Sequence, residues 1–200
     1  MARLTVSQVI SKFNSIDWSA LPPPATNKGL RGQVIEQALG IPNSSALKDL
    51  EDGELKTFTI GESIACTQLT HCLSEIEGSV PFADSKLGMK MANTLYAGFT
   101  RDDKFAGWTN VDYKTENEHF HKMEEDYNHI CDEIRHSMKN KTELKTINGP
   151  NMLLQIRTKA SKVNGKYIPM MYKGHQLKDK NMAFYLRASF GKELLKTNCK

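Results

Sequence analysis

The stretch Asp49-Leu50-Glu51-Asp52-Gly53-Glu54-Leu55-Lys56 combines separated carboxylates with an ammonium group. Side chains alternate faces along a strand, so Glu54 and Lys56, two apart, point the same way. Asp52-Gly53 is a strong turn signal, and a turn there folds Asp49 back beside Glu54. Carboxylates hold a hard cation such as Mg²⁺ through oxygen, and a lysine beside them can orient or help deprotonate an attacking water. Two carboxylates and an ammonium on one face therefore suit metal-assisted cleavage of a phosphodiester.

Glu-x-Lys arises readily by chance, and the chain supplies its own control. Glu143-Leu144-Lys145-Thr146 repeats Glu54-Leu55-Lys56-Thr57. The later copy sits among Lys139, Lys141 and Lys145 and runs into Asn148-Gly149-Pro150. Its only acid within ten positions upstream is Glu133. The first copy has Asp49 and continues as Thr57-Phe58-Thr59-Ile60, a good strand. The first copy is the catalytic candidate; the second is expected to be a solvated helix end or loop.

The elements that must position these groups can be read from periodicity. Val6, Val9, Ile10 and Phe13 recur at helical spacing and predict a helix over 5–15. Leu21-Pro22-Pro23-Pro24 predicts a break and a stiff connector. A second helix is predicted over 29–39, with Val34, Ile35 and Ala38 inward and Gly40 as its C-terminal cap. The segment from Pro42 to Asp49 is a loop leading to the catalytic strand. Residues 62–77 fit strand and helix equally well. Thr94 to Thr100 alternates as a strand does, and Arg101-Asp102-Asp103 ends it. The longest helical stretch runs from Glu116 to Met138, with Met123, Tyr127, Ile130 and Ile134 as its buried stripe. Glu124, Glu125, Asp132 and Glu133 form its outer face. Met152 to Arg157 and Ala183 to Arg187 are predicted strands. A Gly- and Lys-rich loop follows the first, and a helix capped by Ser189 follows the second. This order predicts an α/β (mixed α+β) fold, with a central mixed sheet flanked by helices.

Two hundred residues suffice for one domain, or for two small lobes dividing near residue 140. With 39% apolar residues and no run near the roughly 20 that a membrane helix needs, no membrane partner is expected. The N-terminus lacks a signal-type apolar region, so a cytoplasmic location is expected. Cys66, Cys72, Cys131 and Cys199 form no Cys-x-x-Cys pair and read as free thiols. His71, His119, His121, His129, His136 and His175 make no credible zinc set and read as surface histidines. The net charge of +4 conceals an asymmetry. Residues 141–200 carry 13 Lys+Arg against 3 Asp+Glu, and residues 1–140 carry 14 against 20. A basic C-terminal part beside an acidic body suits a phosphate-facing surface, or equally a soluble face.

Four blocks in order resemble the MutH family of mismatch-repair and GATC-cutting restriction endonucleases. They are Asn27-Lys28-Gly29-Leu30-Arg31-Gly32-Gln33-Val34-Ile35-Glu36, Asp49 through Thr57, Leu154-Gln155-Ile156-Arg157-Thr158-Lys159-Ala160, and Phe184-Tyr185-Leu186-Arg187 with Phe190, Leu194 and Leu195. One departure is visible. The spacer between the first acid and Glu-x-Lys is shortened here and ends Asp52-Gly53. This implies either a tighter hairpin or a share for Glu51 or Asp52 in the metal site.

The resemblance implies a restriction-endonuclease-like PD-(D/E)xK fold and Mg²⁺-dependent, sequence-specific cleavage of double-stranded DNA. By that resemblance Asp49, Glu54 and the Leu55 carbonyl hold the metal, Lys56 the nucleophilic water, and Glu36 assists. Lys28 meets a phosphate, with Gly29 and Gly32 allowing close approach of a helix start to DNA or to the sheet. One lysine of Lys86 and Lys90 lies near the active site. Arg157 and Lys159 read bases, in keeping with Arg and Lys contacts to guanine. Tyr185 sits near the adenine amino group or, alternatively, in the core. Arg187 belongs to the same DNA-facing block. Lys162, Lys166, Lys173, Lys178 and Lys180 supply affinity for the DNA backbone. A type II restriction enzyme that dimerises on a palindrome is the first expectation. A repair nickase acting on hemimethylated GATC with a MutL-like activator is the alternative, and a non-catalytic DNA-binding effector is a third.

Overall fold

The structure, a computed structural model, describes residues 3–21, 28–43, 46–113, 118–159 and 162–196, without the side chains of 28–30 and 196. The chain forms two compact units that interleave along the sequence. One comprises Met1–Ile64, Lys90–Thr115 and Ala188–Lys200; the other comprises Ala65–Met89 and Glu116–Arg187. The fold is mixed α and β, with both parallel and antiparallel strand pairs.

The first unit is built on a three-stranded sheet of β1 (Glu54–Thr59), β3 (Asn93–Phe99) and β4 (Phe105–Asp112), in the order β1-β3-β4. β1 runs parallel to β3, with Glu54 opposite Thr94 and Lys56 opposite Tyr96, and β4 pairs antiparallel to β3. Helices α1 (Val6–Phe13) and α2 (Lys28–Leu39) cover the sheet. Val6, Val9, Phe13, Ile35, Leu39, Leu50, Leu55, Leu95, Ala97 and Phe99 make one buried cluster. α1 starts on a capping box in which Thr5 and Gln8 exchange side-chain bonds to each other's amides. It ends at Phe13, well before the prolines, and the predicted connector at 22–24 lies outside the described residues. In α2 the inward pair is Ile35 and Leu39, four apart, while Val34 is half-buried and Ala38 is exposed. Glu36, beside Ile35, is half-buried at the edge of this stripe. Gly40, with φ of 74°, ends the helix as expected. Helix α6 (Ala188–Lys196) closes the unit, with Phe190 edge-on to Tyr96; Ser189 lies inside its first turn rather than capping it.

The second unit carries a four-stranded sheet in the order β2-β11-β6-β5: β2 (Ile64–Gln68), β11 (Met182–Leu186), β6 (Leu154–Thr158) and β5 (Ile147–Asn148). The stretch left open at 62–77 resolves into β2, a 3₁₀ turn and the short helix α3 (Leu73–Glu77). α4 (Lys86–Met91) follows. The long helix α5 (Glu118–Asn140) buries Met123, Tyr127, Ile130 and Ile134, and burial of each apolar side chain contributes about 1.5–3 kcal/mol. α5 also buries Asp126. Its carboxylate accepts the amides of Asn151, Leu153 and Leu154 at 2.6–2.8 Å, anchoring the turn before β6.

The segment expected as a Gly- and Lys-rich loop is instead two antiparallel ribbons. β7 (Lys162–Val163) pairs with β8 (Lys166–Tyr167), and β9 (Met170–Tyr172) with β10 (His175–Lys178). Asn164-Gly165 and Lys173-Gly174 both have positive φ throughout, the geometry that suits two-residue hairpin turns. No helix among the described residues is long and apolar enough to cross a membrane. Cys66, Cys72 and Cys131 are buried free thiols, and Cys199 lies outside the described residues.

Candidate active site

Asp49 and Glu54 are held together by a tight loop closed with the Leu50 amide donating to the Gly53 carbonyl at 3.0 Å. Across it two main-chain amides donate to the two acids. The Asp49 amide donates to Glu54 Oε2 at 3.2 Å, and the Leu55 amide donates to Asp49 Oδ2 at 3.3 Å. Gly53 permits the loop to pack so closely, because a Cβ there would stand 2.5 Å from Val6 Cγ2 and 2.7 Å from the Asn93 carbonyl oxygen. The segment from Asp49 to Glu54 is thus a tight loop leading into β1. Asp52 is engaged elsewhere: its Oδ1 accepts the Val6 amide at 2.8 Å, at the start of α1, and its carbonyl accepts the Asn93 side chain. Glu51 is exposed.

Glu54 is fully buried and takes two ammonium groups on Oε1, Lys56 Nζ at 2.5 Å and Lys90 Nζ at 2.8 Å. Burial opposes its ionisation, but the two lysines outweigh burial and hold its pKa below the ordinary glutamate value. Asp49 behaves in the opposite way. Burial first, then the neighbouring Glu54 carboxylate, push its pKa up against the pull of Lys56 and Lys90. Glu36 on α2 is raised likewise, by burial and then by Asp49, with Lys56 opposing and Glu54 adding. Asp49, Glu54, Lys56 and Glu36 therefore occupy one electrostatic neighbourhood. Gly32, one turn before Glu36, sits over β1 with room for a methyl group 3.6 Å from Thr57 Oγ1.

The donor chemistry fits a hard cation. The acids supply oxygen only, and Asp49 and Glu36 are raised first by burial and then by a neighbouring carboxylate. Among the described residues no three His, Cys, Asp or Glu groups converge enough to enclose an ion alone. A cation held here would complete its shell with main-chain carbonyl and water, the habit of Mg²⁺.

Between Lys86 and Lys90 the structure decides. Lys90 reaches Glu54, whereas Lys86 Nζ donates to the His71 carbonyl at 2.7 Å and pairs with Glu75 at 3.3 Å in the second unit. The side chain of Lys28 lies outside the described residues, as does Ala160. The second Glu-Leu-Lys-Thr copy is an irregular segment after α5, with Glu143 and Lys145 exposed and Glu143 paired to Lys178. A cavity of about 660 Å³ in the first unit is lined by Trp18, Arg31, Phe99 and Phe105 and not by these acids.

In the second unit Arg157 and Tyr185 share one face of the β6–β11 pair. Arg157 is opposite Ala183, Tyr185 is opposite Gln155, and the guanidinium lies 4.9 Å over the tyrosine ring. Arg157 is exposed, while Lys159 and Tyr185 are half-buried, so Tyr185 is a face residue and not a core one. Burial raises the Tyr185 hydroxyl above its ordinary value, and Arg157 opposes the rise. Arg187, just past β11, donates to Asn148 Oδ1 at 2.9 Å. The basic ribbons and the acidic α5 belong to this same unit. All six histidines are exposed or half-buried.

Several of these features escape a reading of the sequence. The Asp52 link to α1 joins residues 46 apart, and no local pattern signals it. Asp126 looks like one more acid on an acidic helix. The two ribbons were signalled by Asn164-Gly165 and Lys173-Gly174, two-residue turns between β-branched and aromatic residues. No protein-family model matches this chain, and no curated protein matches it.

Proposed function

We propose that this chain is a Mg²⁺-dependent, sequence-specific endonuclease acting on double-stranded DNA, with a restriction-endonuclease-like PD-(D/E)xK fold of MutH type. The observation that carries the reading is the Asp49–Glu54 pair, each carboxylate accepting a main-chain amide (from Leu55 and Asp49 respectively), with Lys56 and Lys90 on Glu54. In nuclease chemistry an acid followed by Glu-x-Lys at a strand start supplies the working parts, and here Asp49, Glu54 and Lys56 are adjacent in space. The resemblance to MutH-type enzymes adds GATC, or a site containing it, as the recognition sequence.

Asp49, Glu54 and the Leu55 carbonyl would hold Mg²⁺, whose chemical contribution is to polarise the phosphate and acidify a bound water. Lys56 then orients the attacking water beside the scissile phosphate and offsets charge that builds on its oxygens. Glu36, with its raised pKa, accepts the proton that the water gives up. The water oxygen bonds to phosphorus as the bond to the 3′-oxygen breaks, leaving a 5′-phosphate and a 3′-hydroxyl protonated from solvent. Arg157, Lys159 and Tyr185 face bases, and Lys28, Lys90 and Arg187 support the backbone. A homodimer on a palindromic site would cut both strands, the type II restriction reading.

The test is digestion of plasmids bearing GATC in unmethylated, hemimethylated and fully methylated form, with Mg²⁺ and no partner protein. Linear fragments from unmethylated DNA are the expected result, lost in Lys56→Ala with DNA binding retained. Nicking confined to unmethylated strands would replace the restriction role with that of a repair nickase. Binding without cleavage in any form would refute the catalytic assignment.

A further inference from the structure

Six large apolar side chains are strongly exposed among the described residues, and four of them, Val163, Tyr167, Ile168 and Met171, fall within nine positions of one another. All residues from Lys162 to Pro169 are exposed. The same segment is lysine-rich, and its tip at Asn164-Gly165 is a hairpin turn of two residues with φ of 51° and 77°. Open space surrounds the position of a Cβ at Gly165. Exposing valine, tyrosine and isoleucine to water has a cost that the fold does not recover internally, since these side chains line no core.

The register gives the hairpin two distinct faces. Lys162 is opposite Tyr167, and Val163 is opposite Lys166. On the first face the tyrosine ring is covered by two ammonium groups, Lys162 at 4.9 Å and Lys180 at 4.5 Å from its centroid. These contacts hold the lysines in place beside a flat apolar body. On the second face a valine and a lysine project together. A two-stranded ribbon fits a major groove about 12 Å wide. Lysines at its edges then meet phosphates on either wall, and Val163 at the tip meets the thymine methyl groups that line the groove.

We propose that the Lys162–Tyr167 hairpin is a groove-entering contact for double-stranded DNA, with Lys162 and Lys166 on phosphates and Val163 against base edges. This rests on the reading of the chain as a DNA-acting protein and does not depend on its cutting DNA. The charge favours a polyanion, and the rigid two-residue turn favours a groove of fixed width over the soft surface of an anionic membrane.

The experiment measures affinity of the full chain for a GATC-containing duplex in Ca²⁺, across about 50–200 mM salt. Lys162→Ala/Lys166→Ala is expected to lower the salt slope by about 1.8, at about 0.9 per phosphate, so that its affinity falls about twelvefold less than wild type over that range. Gly165→Val keeps every lysine but strains the turn, and is expected to weaken binding several-fold with the thermal transition retained. Wild-type affinity and slope in both variants would overturn the proposal. So would wild-type affinity in Gly165→Val alone, since charge without the hairpin would then suffice. Loss of binding to phosphatidylserine vesicles with DNA affinity untouched would overturn it in favour of a membrane surface. Cleavage is read separately in Mg²⁺. A wild type that binds but never cuts, with the variants still losing affinity, would remove the nuclease reading and leave the hairpin standing.

Discussion

Replacing Glu54 by glutamine tests the electrostatic core of the site without changing its shape. In the wild type the carboxylate is fully buried and receives Lys56, Lys90 and the Asp49 amide. An amide keeps one acceptor and loses the charge, leaving two ammonium groups, 16% and 17% exposed, with Asp49 as the acid that both still act on. Breaking a buried pair by removing one partner costs about 3–5 kcal/mol, and the residual exposure of both lysines places this case at about 3 kcal/mol. For a chain of this size that corresponds to a fall in Tm of about 6–12 °C. The pH dependence follows from the lowered Glu54 pKa. Its contribution is fully present above the unfolded value near about 4.3 and is lost as pH falls through the lower folded value. The gap between wild type and Glu54→Gln should therefore be full at neutral pH and should narrow below about pH 4, as thermal unfolding followed by circular dichroism would show. Adding Lys90→Met to Glu54→Gln should recover part of the loss, because one of the two ammonium groups that Glu54 had balanced is removed. A Tm within about 2 °C of wild type at neutral pH, or a gap unchanged in acid, would refute the account of Glu54 as an anion held by two lysines.

Glu36→Gln and Asp49→Asn should act in the reverse sense on stability. Both carboxyls have raised folded-state pKa values, so each weakens the folded state as pH rises through the window between its unfolded and folded values. The variants should thus be at least as stable as wild type at neutral pH in a denaturant titration while losing cleavage. Wild-type cleavage should rise with pH as both groups ionise, as a pH–rate profile would record. Asp52→Ala should cost about 1 kcal/mol through the lost bond to the start of α1, with the Mg²⁺ dependence of cleavage unaltered; a weakened Mg²⁺ response would return Asp52 to the metal site. Gly53→Ala should fail to fold or lose more than about 3 kcal/mol through its clash with Val6 and Asn93, whereas Gly32→Ala has room and should gain about 0.5–1 kcal/mol of helix propensity, both read from denaturant midpoints.

What the amino-acid order determined by itself was local. Periodicity placed α1, α2, α5 and β3, because amphipathic burial leaves its period in the chain. Alternation put Glu54 and Lys56 on one side of β1, and the Asp52-Gly53 turn brought Asp49 back to Glu54, since all of these act within a few residues. What tertiary structure alone decided depended on partners distant in sequence. Lys90 rather than Lys86 reaches Glu54 because α4 ends beside the start of β3, which β1 pairs with in parallel. Asp52 is drawn to a helix start 46 residues away, and Asp126 is buried under a turn that begins 23 residues later at Gly149, where a Cβ would collide with it. The two compact units interleave, so the charge step near residue 140 falls inside one of them and marks no boundary between them. A formal charge can be counted along the chain, but its protonation state and its partner follow from burial and from neighbours that only folding supplies.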